Sequence, residues 1–249
     1  MDGGAVARGP ESRCRGGAEL IALNTTGWNR IRYSLYAPVY DWIVRLDRAR
    51  GKAIEGLDLQ EGGRVLIPGA GTGQDLDVLP PGLDVVAGDI APGMVRRLHR
   101  RASARSDRGE ARGAGRVEVR ELDAQALDFP DGSFDAVLLH LVVAIVPDPR
   151  ACLEEAVRVL RPGGRLSILD KFAPEGRVSP WRRVLNPVAE SIASSVSRQL
   201  GVLLDGLPVR ILDRRAVAFG GFLEVVILTK DDASGPQADP IITKQEEKL

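Results

Sequence analysis

Val65-Leu66-Ile67 is a short apolar run, and Gly69-Ala70-Gly71-Thr72-Gly73 follows it at once. Glycine lacks a Cβ and tolerates positive φ, so such a turn can be tight and can bring bare backbone against a ligand. The N–H groups that open the next helical segment point into the same space. The spacing is G-x-G-x-G. A dinucleotide fingerprint would need a sixth-position glycine, where this chain has Gln74, which argues against a pyrophosphate ligand. Two further carboxylates close apolar strand-like stretches: Asp89 after Val85-Val86-Ala87-Gly88, and Asp123 after Val117 to Leu122. A carboxylate at such a point can accept from the two hydroxyls of a ribose, and a second can accept from the amine of an adenine. Ile90 and Met94 stand beside Asp89 to pack against a base, and Ala124 beside Asp123 offers backbone. Any one of these acids alone reads equally well as a helix cap or turn residue.

His140 is the residue whose chemistry suits a general base, since an ordinary imidazole titrates near pH ~6.5. It lies in the apolar run Leu138 to Val146, so a buried, satisfied histidine is the competing reading. Asp170 and Lys171 follow another apolar stretch and read either as rim residues or as a strand-end cap. Leu141, Val142, Val143, Ile145 and Val146 would make the adjoining wall apolar, which favours an apolar or amphiphilic small substrate. All three tyrosines of the chain, Tyr33, Tyr36 and Tyr40, fall with Trp28 and Trp42 in one short stretch. That cluster reads either as a helix anchored on the sheet edge or as a lid whose rings wall a site. In the second case Tyr33 and Tyr40 join His140 as catalytic candidates.

The elements that must position these groups alternate. Strands are expected at Val65–Ile67, Leu83–Gly88, Val117–Leu122, Phe134–Leu139 and Arg165–Asp170. Helices are expected over Val39–Ala53, Gln74–Leu79, Gly93–Ala104 and after Pro149, the last closed by Arg161-Pro162-Gly163-Gly164. The arginines of Gly93–Ala104 are expected outside, and Ser103–Gly115 as a charged loop. A helix near Val188–Leu204 and a strand pair, Val209–Asp213 with Phe222–Thr229, complete the chain. The alternation implies a mostly parallel sheet with helices on both faces, with ligands at the carboxyl ends of the strands. Residues 1–24 and 231–249 read as disordered tails around one domain over 25–230, with caps at 28–53 and 174–206.

The 249 residues carry 34 basic and 34 acidic side chains, so no global field favours nucleic acid. Two cysteines, Cys14 and Cys152, give neither a disulfide framework nor a metal spacing. With no signal-like apolar segment, a cytoplasmic location is expected.

Five segments taken together resemble the class I S-adenosylmethionine-dependent methyltransferases. They are Val65 to Gly73, Gly88-Asp89-Ile90, Leu122-Asp123-Ala124, Ser133-Phe134-Asp135-Ala136-Val137, and Leu160-Arg161-Pro162-Gly163-Gly164-Arg165-Leu166. Tyr40-Asp41 and the Leu-Arg-Pro-Gly-Gly turn resemble the ubiquinone/menaquinone-type C-methyltransferases and the bacterial phosphatidylethanolamine N-methyltransferases. The resemblance implies a Rossmann-like three-layer α/β sandwich with a seven-stranded, mostly parallel sheet whose last strand is antiparallel. It implies S-adenosylmethionine as cofactor, held by Gly69, Ala70, Gly71, Gly73, Asp75, Asp89, Ile90, Met94, Asp123, Ala124 and Leu139. It also implies a small-molecule acceptor, with membrane contact if that acceptor is a lipid. The family usually has Asp or Glu two residues before the first glycine, where this chain has Ile67. Asp75 is then the candidate substitute. A nucleic-acid or protein methyltransferase would need an Asn/Asp-Pro-Pro-Tyr/Phe tetrad or a basic face, neither of which is present. A non-methylating protein that keeps the fold and the cofactor is the remaining alternative.

Overall fold

The computed structural model describes residues 46–107, 115–171, 200–218 and 223–232. The expected tails, the aromatic cluster with Tyr33 and Tyr40, and most of the 174–206 cap lie outside them. Seven strands form one sheet: β1 (Arg64–Pro68), β2 (Asp84–Asp89), β3 (Val117–Glu121), β4 (Phe134–His140), β5 (Leu160–Asp170), β6 (Val209–Ala218) and β7 (Leu223–Lys230). Their order is β3-β2-β1-β4-β5-β7-β6. The first five pair in parallel, and β7 runs antiparallel to both β5 and β6.

The central strands β1, β2 and β4, with the second half of β5, are nearly continuous apolar runs because both faces are covered there. Alternation divides them. Val65 and Ile67 join Val85, Ala136 and Leu138 on one face, packed under α1 (Asp47–Glu55) and α2 (Pro92–Asp107) through Ile54, Leu98 and Ala102. Leu66 joins Val137, Leu139 and Ile168 on the other, packed under α3 (Pro149–Val159) and α4 (Leu200–Leu204) through Cys152, Leu153, Val157 and Leu200. Asp148 caps α3, accepting from the Ala151 N–H at 3.0 Å, and Pro149 occupies its first turn.

Several local expectations are corrected. After the glycine turn the chain makes only a 3-10 helix, Gln74–Asp77, not a helix to Leu79. Helix α2 runs on to Asp107, into the expected loop. Two of its arginines turn inward: Arg105 is buried and donates to the carbonyls of Leu76, Leu79 and Pro80, while Arg101 donates to Thr72 O at 3.0 Å and pairs with Asp77. The Arg161-Pro162-Gly163-Gly164 segment does not separate helix from strand. Strand β5 begins at Leu160, directly after α3, and the register against β4 shifts across this segment, with Gly163 at φ 70°. The extra residues bulge because β4 has no counterpart for them.

Candidate functional site

Strand order reverses between β1 and its neighbours β2 and β4, and a cavity of about 770 Å³ opens at their carboxyl ends. Gly69, Ala70 and Gly71 border it. Gly69 has φ 73°, and a Cβ there would come within 2.6 Å of Val142 Cγ2. Gly71 has φ 57°, and a Cβ there would meet no protein atom within 4 Å. The first glycine therefore answers to packing and the second to the open cavity. Gly73, at φ 87°, does not border the cavity; a Cβ there would strike Leu98 of α2 at 2.6 Å.

Asp89 ends β2 beside this turn. Its Oδ2 accepts from the Gly71 N–H at 3.0 Å and its Oδ1 from the Ala91 N–H at 2.8 Å. Burial pushes its pKa up to about 6, against the pull of those N–H groups. An ionised carboxylate has about four acceptor positions, so capacity remains for a ligand hydroxyl beside the backbone N–H groups. Ile90 and Met94 also border the cavity, as do Leu122, Asp123, Ala124 and Gln125 from the end of β3. Asp123 Oδ1 accepts from both the backbone N–H and the side-chain amide of Gln125, each at 3.0 Å. The fourth side is apolar: Leu141, Val142, Ile145, Val146 and Pro147. Leu141 turns the chain at φ 61°, a left-handed conformation uncommon outside glycine. Buried Asp170 ties this wall to β5, accepting from the N–H of Ala144 at 2.9 Å and of Lys171 at 2.8 Å. Asp170 is thus a backbone cap rather than a rim group. Val143 and Leu139 point elsewhere: both are fully buried in the α3-side core, and neither borders the cavity.

His140 and Asp75 meet in a buried chain that spacing could not show. His140 Nδ1 donates to Asp75 Oδ1 at 2.6 Å, and Arg50 of α1 donates to Asp75 Oδ2 at 2.6 Å. On its far side, His140 Nε2 lies 3.0 Å from Ser167 Oγ, which donates to the Ala53 carbonyl at 3.0 Å. Burial alone would raise the Asp75 pKa, but the Arg50 and His140 charges and hydrogen bonds outweigh it and hold the carboxyl well below the usual range. The His140 side chain is 0% exposed, with both ring nitrogens engaged. This corrects two expectations. Asp75 does not border the cavity, and His140 borders it without presenting a nitrogen to it. Arg50, Thr72, Gln74, Leu122 and Gln125 border the cavity without having been singled out as site residues. For Arg50, nothing in its local sequence marks it; its role depends on where α1 docks. Ile67 is sealed in the core.

The residues present suit a nucleoside-bearing ligand: a glycine cradle open to the cavity, two strand-end carboxylates, apolar side chains between them and an apolar wall opposite. Such a crevice at the carboxyl ends of a parallel sheet defines a nucleoside-cofactor enzyme of the Rossmann-like class. Residues 66–168 match the methyltransferase domain family. That matched stretch is a methyltransferase domain of the class I S-adenosylmethionine-dependent kind, whose methyl donor the cradle and carboxylates fit. It is 35% identical over 161 residues to the ubiquinone/menaquinone biosynthesis C-methyltransferase of Geobacter sulfurreducens, covering 60% of each chain. It is 37% identical over 113 residues to a phosphatidylethanolamine N-methyltransferase of Cereibacter sphaeroides, covering 45% of this chain and 52% of that one. In these alignments the chain thus spans between half and two thirds of its relatives' lengths. Among solved structures, the (4+2)-cyclase SpnF shares the fold with a TM-score of 0.68 at 18% identity, covering 84% of this chain and 97% of that one.

Proposed function

We propose that this chain transfers a methyl group from S-adenosylmethionine to a small apolar or amphiphilic acceptor. The observation that carries the reading is the cavity itself, polar where a nucleoside would lie and apolar across from it. When bound, the cofactor supplies an activated methyl group and its own leaving group. The protein's part is then to place an acceptor in line and exclude water. Gly69 to Gly71 form the cradle beneath the methionine end, Asp89 accepts from the ribose, and Asp123 with Ala124 meets the adenine. Leu141, Val142, Ile145 and Val146 hold an apolar acceptor by burial alone. His140 acts as a positioning residue, because its nitrogens are spent on Asp75 and Ser167. Acceptors that need no strong base, such as an activated carbon or a neutral amine, fit this site best.

The names of the two relatives speak of carbon and nitrogen acceptors and of quinone and phospholipid substrates, and both are candidate acceptor classes here. A lipid acceptor would bring the chain to a membrane surface, although among the described residues no helix is long and apolar enough to cross one. The second reading, a non-methylating protein with the same cofactor, draws on Ile67, which leaves the cavity without a carboxylate from β1. The test is calorimetric titration with S-adenosylmethionine and S-adenosylhomocysteine, followed by turnover with a demethylated quinone or with phosphatidylethanolamine vesicles. Binding with release of S-adenosylhomocysteine supports methyl transfer. Binding with no turnover on any apolar acceptor favours the second reading.

A further inference from the structure

Helix α2 carries five arginines, Arg96, Arg97, Arg100, Arg101 and Arg105, and no acid before Asp107. They divide by face. Arg101 and Arg105 turn inward, onto Thr72, Asp77 and the carbonyls of Leu76, Leu79 and Pro80, and clamp the helix over the glycine turn. Arg96 and Arg100 are exposed and Arg97 is half-buried. Beyond a 3.4 Å bond from Arg100 Nε to the Arg96 carbonyl, none of these three has a partner among the described residues. Surface arginines on other elements contrast with them: Arg116 is matched by Asp84, Arg120 by Glu118, Arg150 by Glu154, Arg161 by Asp135 and Arg210 by Asp231. The excess continues along the chain, with eight arginines and two acids between Arg96 and Arg116 in a protein of zero net charge.

We propose that this arginine face of α2 docks the chain on an anionic phospholipid surface, with the cavity mouth turned toward the bilayer. Helix α2 starts just after β2 ends, so its first turns flank the mouth, and Met94 borders the cavity itself. At the rise of an α-helix, the backbone of Arg96 to Arg100 lies about 3–9 Å further along the axis. The proposal rests on the apolar-acceptor reading above for the direction the mouth faces; attachment itself needs neither cofactor nor acceptor. A guanidinium is a planar fork of donors that matches the oxygens of a phosphate, and its aliphatic stem lies readily along apolar surface. No ion pair has to break for these three side chains to meet phosphate. The wall beside the mouth favours a bilayer over a nucleic acid, since Leu141, Val142, Ile145 and Val146 offer a base or a phosphate no side-chain polar atom. The inward clamp of Arg101 and Arg105 holds the mouth at a fixed distance from the docked face.

The test is flotation of the full chain with vesicles of phosphatidylcholine alone and of phosphatidylcholine mixed with phosphatidylglycerol. The parent should float with the anionic vesicles only, and high salt should release it. Each arginine near an anionic leaflet strengthens attachment by about fivefold. The triple variant Arg96→Gln, Arg97→Gln, Arg100→Gln should therefore partition about 100-fold more weakly than the parent. Arg100→Glu alone, at an exposed position, changes two charges and should cost about 25-fold. A control triple, Arg116→Gln, Arg161→Gln, Arg210→Gln, removes the same charge near the amino ends of β3, β5 and β6, the pole away from the mouth. It should stay within about threefold of the parent. Equal attachment of the parent to both kinds of vesicle, or attachment to neither, overturns the proposal. So does a control triple that loses as much as the α2 triple, because attachment then follows net charge. Tighter binding to a single-stranded RNA oligonucleotide than to anionic vesicles, lost in the α2 triple, gives the face to nucleic acid and overturns the bilayer. Affinity for S-adenosylhomocysteine, measured by calorimetry without vesicles, should be the same in all four proteins. Its absence in the parent overturns the cofactor assignment and leaves the vesicle result standing.

Discussion

Gly69 and Gly71 stand two residues apart in one turn, yet substitution should separate them. Both have positive φ, so alanine costs about 1–2 kcal/mol of backbone strain at either. At position 69 the new methyl also meets Val142, so Gly69→Ala should lower the unfolding free energy further. At position 71 it stands clear of protein atoms. Gly71→Ala should therefore fold nearly as well as its backbone strain allows and lose cofactor affinity instead. Chemical denaturation and calorimetry on the two variants check this contrast. Asp89 makes a second, pH-dependent case. Its pKa rises from an ordinary 3.8 to about 6 on folding, chiefly through burial. The native state therefore holds its proton more tightly than the unfolded chain does. Stability from this group is fully present below about pH 4 and is lost as pH rises through 6. Relative to Asp89→Asn, the parent should lose up to about 3 kcal/mol between pH 4 and pH 7. Binding should run the other way, since the carboxylate accepts from a diol with both oxygens only when ionised. Affinity for S-adenosylhomocysteine should thus fall below about pH 6, and Asp89→Asn should bind weakly at every pH. Denaturant titrations and calorimetry across that range read both effects.

At the scale of elements, two buried side chains decide how helices meet the cofactor turn. Arg105 reaches from α2 to three carbonyls between Leu76 and Pro80, where the helix expected after the turn stops early. Those carbonyls have no helical partners, and the guanidinium supplies them. Arg105→Met should leave them unsatisfied and cost about 2–4 kcal/mol, read by urea unfolding. Asp75 joins α1 to the ends of β4 and β5 through Arg50 and His140. Removing it strands two buried groups, so Asp75→Ala should cost about 3–5 kcal/mol. The Asp75 pKa is lowered in the fold, so its contribution is fully present above the ordinary carboxylate pKa and is lost progressively as pH falls from there toward the lowered folded value. Asp75→Asn should accordingly lose less stability than the parent on acidification below pH ~4, where the unfolded parent takes up a proton at this carboxylate and the folded parent does not.

For the molecule as a whole, cores on both sheet faces share the same strands, so unfolding should be a single cooperative transition. A ligand that binds only the folded form raises that transition by mass action. At a hundredfold excess over Kd the gain is about 2.7 kcal/mol, or a shift of about 5–10 °C for a chain of this size. S-adenosylhomocysteine should give that shift and NADH none, because Gln74 stands where a pyrophosphate-binding turn needs glycine. Thermal melts with the two ligands are sufficient to check it.

Period and punctuation alone gave the strand and helix alternation, the glycine turn, the strand-end positions of Asp89 and Asp123, and a closing strand pair; the antiparallel direction of the last strand came from the family resemblance. These depend on neighbours in sequence: an apolar run bounded by turn residues folds as a strand almost wherever it lies. Tertiary structure decided what joins residues far apart. The bonds of Asp75 to Arg50, 25 residues away, and to His140, 65 away, exist only because α1, the 3-10 turn and β4 converge. The positive φ of Leu141 has no glycine or asparagine to announce it; it is imposed by β4 ending against β5, where the Leu141 N–H bonds the Leu169 carbonyl at 2.7 Å. Arg105 reads as one more solvated arginine until α2 packs over the cofactor turn. A buried charge takes its meaning from the partner it finds, and that partner is set by how the elements dock, which no local pattern encodes.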